Sequence, residues 1–339
     1  MTDKTTQYSA AGVDLEAADK VLDSIRGGVR ATLNQNVLSG IGSYGGIVRL
    51  PKGMTNPVLV SSVDSVGTKV SIASAYGNFS TVGRDLVNHC VNDILCTGAT
   101  PLLFVDYIAH SDFSPEETAS AINGVAAACE DLDIPLVAGE TAQLPGVYQA
   151  REFDLVGTVV GVLEEENLIL GSKVAPEDVV IALPSNGIHT NGLSLARKVF
   201  SNYELDFVFP ELGRPLGEEL LAIHRCYLNE LLPFLPSIHG LAHITGGGIW
   251  DNIPRILPEE TCVTLEWGSW QVPPLFHLIQ SLGDISFREL LHVFNMGIGM
   301  IVICDRKDAD QIIRTIPGAS LIGEVQTNTP GARQVTVRR

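Results

Sequence analysis

The most constraining feature of the sequence is an alternation of short apolar runs with longer helical segments. Its first half carries predicted strands at 57–63, 101–109, 134–139 and 153–163, and predicted helices at 81–98 and 114–133. Such alternation is typical of an α/β or mixed α+β fold. Ser114 is a suitable N-cap for the second helix, because Pro115 follows it and Glu117 stands three residues after it.

The pattern restarts after residue 170, and we therefore predict two domains, 1–170 and 171–339. The second half carries predicted strands at 179–185 and 296–305 and helical segments at 191–200 and 216–235. A chain of 339 residues is long enough to bury two cores of ordinary size. The first fifty residues are rich in glycine and poorly periodic, which predicts a mobile arm or lid.

Charge and composition narrow the function. The net charge is −17, from 22 basic and 39 acidic residues, which argues against nucleic acid as a partner. An acidic protein that binds a phosphorylated ligand needs local positive potential, from backbone N–H groups, a few basic side chains or a divalent cation. The apolar runs are too short to span a membrane, and the start lacks a secretion signal. The 6 cysteines show no CxxC spacing. We therefore expect a reduced, cytoplasmic compartment and no membrane partner.

The segment "DSVGTK" at 64–69 is the first candidate for chemistry. It lacks the two glycines of a P-loop. Asp64 at a strand end can hold a cation, and Lys69 can reach a phosphate as a point charge. Taken alone, the six residues are better explained by a β-turn with a solvated acid and lysine.

The predicted helix that follows has an unusual polar side, made of Asp85, Asn88, His89 and Asn92, with Asp93 beside it. An ordinary solvent-exposed face would carry Lys and Glu, which are stronger helix formers. Short oxygen-bearing side chains are those that hard cations prefer. The composition therefore favours a cation site over a solvated face.

Glu140 lies in "LVAGETAQLPG", where we expect it just beyond the carboxyl end of a strand. Ligand groups in α/β proteins concentrate at such positions. A hydrophilic loop remains an alternative interpretation of this segment.

Two further segments contain groups suited to a phosphorylated ligand. His189 lies between two Asn-Gly pairs on a loop that opens into a helix, where it can act on a phosphoryl or amidine group. Gly246, Gly247 and Gly248 precede a predicted helix that begins near Ile249, and their backbone N–H groups can bind an anion. A bystander histidine and a flexible hinge are the respective alternatives. We favour the anion site for the glycines, because Trp250 and "NIPR" follow at once.

Seven segments together resemble one family over about residues 8 to 335. They are "SVDSVGTK", "DLVNHCVND", "GATPLLFVDY", "AGETAQLPG", "SNGIHTNGLSLARK", "HITGGGIWDNIPR" and "FNMGIGM". Their order and spacing are similar to those of the phosphoribosylformylglycinamidine cyclo-ligases of purine biosynthesis. The chain departs from the family pattern at Ser65, Ala138, Gln143 and Leu144. Gln143 has no carboxylate, so only Glu140 of that segment is carried over as a metal ligand.

The resemblance implies an ATP-dependent ring closure of formylglycinamidine ribonucleotide to 5-aminoimidazole ribonucleotide, through phosphorylation of the formyl oxygen. It implies ATP and Mg²⁺ as cofactors, with K⁺ as an additional candidate. It also implies a homodimer, in which the sheet of an N-terminal α/β domain pairs with its copy into a barrel, and a C-terminal α/β sandwich.

The resemblance assigns roles to individual residues. It gives catalysis to His189, Asp93 and Lys69, Mg²⁺ to Asp64, Asp93 and Glu140, and the substrate's 5′-phosphate to Gly246, Gly247 and Gly248. Nucleotide binding falls to Arg26, Gly42, Gly45, Asp64, Gly67, Thr68, Lys69, Glu140, Thr141 and Asn191. Asn191 is also expected, with His189, near the reacting amide. Arg26 and the segment 38–50 are expected to close over the nucleotide.

Two alternatives remain at this point. One is another ATP-dependent synthetase or kinase of the same superfamily, and the other is a non-catalytic nucleotide-binding protein. Selenophosphate synthetases require a cysteine near the N-terminus, whereas the first cysteine here is Cys90. The chain retains the candidate catalytic and ligand residues, which argues against a non-catalytic nucleotide-binding protein. These residues are Asp64, Lys69, Asp93, Glu140 and His189.

Overall fold

The computed structural model describes residues 15–40, 42–329 and 331–339. Within these residues the strands are β1 Pro57–Ser65, β2 Thr100–His110, β3 Leu136–Gln143, β4 Phe153–Glu164, β5 Val179–Pro184, β6 Ile238–His243, β7 Thr261–Glu266, β8 Ile298–Cys304, β9 Ser320–Thr327 and β10 Val335–Arg338. The helices are α1 Leu15–Ala31, α2 Lys69–Tyr76, α3 Ser80–Leu95, α4 Pro115–Asp131, α5 Leu193–Val199, α6 Leu216–Leu220, α7 Leu228–Leu231, α8 Gly248–Asn252, α9 Pro274–Gly283, α10 Phe287–Val293 and α11 Arg306–Thr315. Short 3₁₀ turns lie at Glu165–Asn167, Leu232–Ser237 and Ile253–Ile256.

The chain divides into two compact units. The N-terminal unit comprises residues up to 91 together with 101–162, and the C-terminal unit comprises 92–100 and 163–339. The division therefore falls eight residues before the boundary expected at 170. The last residues of α3 and the turn after it belong to the C-terminal unit, which no local feature of the sequence indicated.

The N-terminal unit is built on a four-stranded sheet of order β1-β4-β2-β3, in which β2 and β3 run parallel. Leu86 of α3 and Phe104 of β2 both pack against Gly157 of β4, so α3 covers one face of this sheet. On the edge strand β1, Leu59 and Val63 are 62% and 64% exposed. The sheet is therefore covered on one side and presents apolar side chains on the other.

Helix α4 starts where the sequence predicted. The Ser114 hydroxyl accepts the N–H of Glu117, and the Glu117 carboxylate accepts the N–H of Ser114. This reciprocal cap satisfies two backbone donors that the first turn of a helix leaves without intrahelical partners.

The expectation of a mobile arm over the first fifty residues is wrong for residues 15–31. These residues form the 17-residue helix α1, in which Val21 is buried. Just beyond it, the Thr32 hydroxyl accepts the N–H of Leu136 on β3 at 2.9 Å. Val37 and Val48 then form an antiparallel bridge. Residues 1–14 and Ile41 lie outside the described part of the chain.

The C-terminal unit is built on a six-stranded sheet of order β10-β7-β9-β5-β8-β6. Its strand pairs are antiparallel apart from β10 with β7. Every residue of β8 is buried, so this strand lies in the core. Because β8 is antiparallel to both β5 and β6, the carboxyl ends of β5 and β6 lie at the same end of the sheet, and the loops that follow them start there. None of the described helices combines the length and apolarity needed to cross a lipid bilayer.

The prediction of one helical segment over 216–235 is wrong. Helix α6 ends at Leu220, and regular helix returns only at Leu228. The side chain of Asn92 holds the backbone between them: its Nδ2 donates to the Arg225 carbonyl at 2.8 Å, and its Oδ1 accepts the Tyr227 N–H at 3.0 Å. An amide that binds both backbone groups replaces the intrahelical bonds that this segment would otherwise make.

Candidate active site

Lys69 does not extend from the surface as the sequence suggested. Its Nζ lies 2.7 Å from Asp85 Oδ2, and both side chains are fully buried. Burial lowers the pKa of Lys69, and the charge and hydrogen bond of Asp85 oppose that effect. A phosphate role for Lys69 therefore stays a prediction, and it requires the ammonium to serve a second anion while it is paired with Asp85.

The loop around Lys69 has the backbone of a tight turn. Gly67 has φ +54°, and Gly67 and Thr68 are both exposed. Asp64 is the penultimate residue of β1, and its Oδ2 lies 3.6 Å from His89 Nε2 of α3. The loop thus presents its backbone to solvent and holds its lysine inside.

The polar side of α3 is not solvent-exposed. Asp85, His89 and Asn92 are all buried, with exposures of 5% or less. The solvated-face alternative is therefore wrong, as the absence of Lys and Glu from this face indicated. Asp85, which the sequence analysis gave no role of its own, is the ion-pair partner of Lys69.

Glu140 lies within β3 and not beyond its end, so that expectation is wrong. Its side chain is exposed, as is Gly139 before it, and Thr141 is half-buried. Asp64 and Glu140 stand on β1 and β3, the two outer strands of the sheet. Three strand spacings separate them, roughly 14 Å, whereas Mg²⁺ ligands lie about 2.1 Å from the ion. The sheet of one chain therefore does not bring these two carboxylates together.

The predicted lid residues lie in two different settings. Arg26 is on α1, and its guanidinium is 3.6 Å from the Asp23 carboxylate one turn away. Gly42 has φ +88°, and the loop holding Gly42 and Gly45 carries the fully exposed Tyr44 between them. This loop is anchored by Gly46, which packs against Val137 of β3.

His189 is almost completely buried and has φ +66°. Its Nε2 accepts the backbone N–H groups of Asn186 at 3.1 Å and Arg225 at 3.5 Å. A backbone N–H can only donate, so Nε2 carries a lone pair and the proton of the neutral ring is on Nδ1. Nδ1 is therefore the donor atom of the ring, and it is buried.

Gly299 of β8 makes room for this histidine. A Cβ at Gly299 would collide with the Tyr227 hydroxyl and lie 2.8 Å from His189 Cε1. The glycine thus lets both rings pack directly on the sheet. The segment "FNMGIGM" contributed only to the family resemblance, and this positioning role of Gly299 was not predicted from the sequence.

Two further histidines complete the polar cluster of the C-terminal unit. His243, the last residue of β6, has Nδ1 2.7 Å from Asp93 Oδ1, and its Nε2 is 2.9 Å from His224 Nε2. His224 lies in the segment that was wrongly predicted as helix, so its approach to His243 could not be read from the sequence. His243 belongs to a segment that was quoted only for its glycines.

The glycine triplet follows β6 directly. Gly247 and Gly248 have φ +88° and +57°, values that favour glycine. A Cβ at Gly246 would lie 3.2 Å from Asn191 Oδ1, so the triplet and the loop after β5 meet. The Gly248 N–H donates to the Thr245 carbonyl at 3.0 Å. Phosphate binding here therefore depends on the N–H groups of Gly246 and Gly247.

The surroundings of the triplet are not purely favourable to an anion. A Cβ at Gly247 would lie 2.5 Å from Asp251 Oδ2, which places a carboxylate beside the predicted phosphate position. His292 Nε2 is 3.1 Å from the same carboxylate oxygen. Helix α8 has only five residues, so its dipole is weak. These features make the phosphate assignment a specific hypothesis to be tested.

Comparison with known proteins places the chain in a family. The profile of the AIR synthase related protein N-terminal domain matches residues 42–163, and that of the C-terminal domain matches residues 175–335. The phosphoribosylformylglycinamidine cyclo-ligase of Carboxydothermus hydrogenoformans is 45% identical, over 97% of this chain and 98% of its own. That of a Thermoanaerobacter species is 44% identical, over 96% and 98%.

Solved structures show the same fold at low sequence identity. The hydrogenase maturation protein HypE in complex with ATP superposes with a TM-score of 0.67 at 19% identity, over 97% of this chain and 93% of that one. At that level of identity the likeness concerns the fold alone. With its two matching domain profiles and its near full-length relatives, the chain belongs to the phosphoribosylformylglycinamidine cyclo-ligase family.

Proposed function

We propose that the chain closes the imidazole ring of formylglycinamidine ribonucleotide, using ATP and giving 5-aminoimidazole ribonucleotide, ADP and phosphate. The observation that carries the proposal is 45% identity to a cyclo-ligase over 97% of the chain. The γ-phosphoryl group of ATP is transferred to the formyl oxygen. The amidine nitrogen then attacks the formyl carbon, and phosphate leaves with that oxygen. Phosphorylation is needed because an amide oxygen is a poor leaving group.

We assign the formyl substrate to the cluster around His189. Its buried ring, with the proton on Nδ1, can donate a hydrogen bond to the formyl oxygen and polarise the carbonyl. Asn191 lies against Gly246, so the loop after β5 and the glycine triplet can contact one ligand. In this assignment His189 and Asn191 bind the amide, and the N–H groups of Gly246 and Gly247 bind the 5′-phosphate.

We assign the nucleotide to the N-terminal unit, with Asp64, Gly67, Thr68, Lys69, Glu140 and Thr141 as the binding residues. Mg²⁺, when bound, neutralises charge on the transferring phosphoryl group. Asp64 and Glu140 of one chain do not meet at a single ion, because they lie on opposite edges of the sheet. Pairing of the β1 edge of one copy with the β3 edge of another would make the strands that carry Asp64 and Glu140 neighbours.

A homodimer with such pairing is supported by the open sheet. Its order leaves β1 and β3 as edges, and Leu59 and Val63 are exposed on β1. Two sheets paired edge to edge form a closed barrel, which removes both edges and buries the apolar side chains. Sedimentation of the wild type should give a dimer, and Leu59→Arg should shift it to monomer. A wild-type monomer at micromolar concentration would contradict this part of the proposal.

The deciding experiment for the activity is incubation with formylglycinamidine ribonucleotide, MgATP and K⁺. We expect the diazotisable aminoimidazole to form in equal amount with ADP. Omission of the formyl substrate is the control, and it should abolish ADP release. ADP formation without the aminoimidazole would instead indicate another ATP-dependent enzyme of the superfamily, and ATP binding without turnover would indicate a nucleotide-binding protein.

A further inference from the structure

A continuous chain of hydrogen bonds runs through the C-terminal unit from Asp93 to Thr190. Asp93 Oδ1 is 2.7 Å from His243 Nδ1, and His243 Nε2 is 2.9 Å from His224 Nε2. His224 Nδ1 is 3.5 Å from the Thr190 hydroxyl. His224, His243 and Thr190 are buried, and only the Asp93 carboxylate is partly exposed.

The chemistry of the groups gives this chain a single direction. The ionised Asp93 carboxylate only accepts, so His243 donates to it from Nδ1 and carries its lone pair on Nε2. His224 must then donate from Nε2, which leaves the lone pair on its Nδ1 for the Thr190 hydroxyl. Each ring is thus held in one neutral tautomer by its neighbours. For two neutral imidazoles, reversing the bond between the rings would turn a lone pair of His243 towards the Asp93 carboxylate, which can only accept.

The chain ends on the loop that carries the proposed substrate residues. Thr190 stands between His189 and Asn191, and the His224 ring stacks on the His189 ring with centroids 3.9 Å apart and planes 19° apart. Asn92, the neighbour of Asp93, holds the backbone on both sides of Cys226. The end of α3 therefore fixes the His224 segment through its backbone and through the histidine chain.

A three-histidine metal centre is the competing interpretation. The ring nitrogens of His189, His224 and His243 come within 4.8 Å of one another. The two Nε2 atoms that are 2.9 Å apart share a proton, however, and a metal held by both would displace that proton. The orientation fixed by Asp93 and Thr190 needs no metal to explain it.

We propose that His224 and His243 are positioning residues, which transmit the placement of the Asp93 carboxylate to the loop 189–191. They touch neither the reacting atoms nor the nucleotide in this assignment. They act by keeping a fixed donor-to-acceptor order in the hydrogen bonds that join the Asp93 carboxylate to the loop 189–191. The catalytic consequence rests on the proposed function, whereas the network itself does not.

The network is tested first without any enzyme assay. In the full chain labelled with ¹⁵N-histidine, ring nitrogen shifts and proton correlations report the tautomer of each ring, with assignment by single histidine variants. We expect the proton on Nδ1 in His243 and on Nε2 in His224. The opposite tautomer in either ring would overturn the proposal. So would a stoichiometric transition metal in the purified protein.

The catalytic consequence is tested with paired variants of one residue. His243→Asn keeps a donor for Asp93 but no acceptor for His224 Nε2, and His243→Leu keeps neither bond. We expect kcat to fall about a hundredfold in both variants, because each interrupts the chain to the loop 189–191. Both KM values should stay nearly unchanged, because the residue binds neither substrate.

His239→Leu is the matched control. His239 lies on the same strand β6, and its Nδ1 is 2.8 Å from the Asp178 carboxylate, outside the chain of bonds to Thr190. We expect His239→Leu to lose about as much free energy of unfolding as His243→Leu and to keep the kcat of the wild type. Equal losses of kcat in His239→Leu and His243→Leu would show a structural role only, and a kcat near wild type in His243→Asn would overturn the proposal. Absence of cyclo-ligase activity in the wild type would refute the proposed function and leave the tautomer measurement to decide on the network.

Discussion

Replacement of Asp85 by asparagine tests whether the pair with Lys69 supports the N-terminal unit. The Nζ–Oδ2 distance is 2.7 Å and neither side chain is exposed, so Asp85→Asn removes the negative charge beside a buried ammonium at almost constant volume. Removal of one partner from a buried ion pair costs about 3–5 kcal/mol. We expect the free energy of unfolding of this unit to fall by that amount.

An exposed ion pair in the same unit serves as the control for the effect of burial on the cost of removing a charge. Arg84 and Asp131 form an ion pair at 2.6 Å, with side chains 35% and 63% exposed. Because solvent screens such a pair, Asp131→Asn should cost less than about 1 kcal/mol. The double variant Lys69→Met, Asp85→Leu removes both buried charges together and should recover most of the loss.

The pH dependence supplies a second measurement. The folded-state pKa of Lys69 lies below its usual value, so the unfolded chain binds more protons and stability rises with pH up to the unfolded pKa of about 10.4. Asp85→Asn removes a raising influence on that pKa and should steepen the rise, and the double variant should abolish it.

Urea unfolding between pH 6 and pH 10, followed by far-ultraviolet circular dichroism, gives these free energies. Equal costs for Asp85→Asn and Asp131→Asn would refute the buried-pair reasoning. A double variant that keeps its stability and loses only ATP binding would show that Lys69 also serves the nucleotide.

Three further predictions concern single residues. His189→Ala should lower kcat about a hundredfold with little change in the Kd for ATP, and a large loss of ATP binding would reassign the residue. Gly247→Val should raise the KM for the formyl substrate about tenfold to a hundredfold and leave the KM for ATP unchanged. Gly268→Val is the control for backbone strain, because Gly268 also has a positive φ (+93°) but lies in open space. A rise of both KM values in Gly247→Val would contradict the assignment. Burial raises the pKa of Asp106 to about 7, so its contribution to stability is present below pH 4 and is lost as pH rises towards 7. Asp106→Asn should therefore flatten the stability profile measured by urea unfolding between pH 4 and 8, and an unchanged slope would show that this carboxyl ionises normally.

Local signals in the sequence were sufficient for the elements that depend on neighbouring residues. Ser114, Pro115 and Glu117 predicted the start of α4, because a helix cap is built from residues within one turn. The composition of the polar side of α3 argued against a solvated face, since strong helix formers are absent from it, and Asp85, His89 and Asn92 are buried. The order of the seven segments was enough to indicate the family, which near full-length relatives confirmed.

Tertiary structure alone decided where the charged and polar groups meet. The sequence shows an apolar-periodic helix over 216–235, but Asn92, more than 130 residues away, takes its backbone bonds and places His224 beside His243. Lys69 and Asp85 are sixteen positions apart, and whether they face solvent or each other depends on how α2 and α3 pack. Asp64 and Glu140 both lie on strands, but only the strand order puts them on opposite edges. Periodicity encodes which face of an element is apolar; long-range packing determines which polar groups share a site, because those contacts join residues that no local pattern relates.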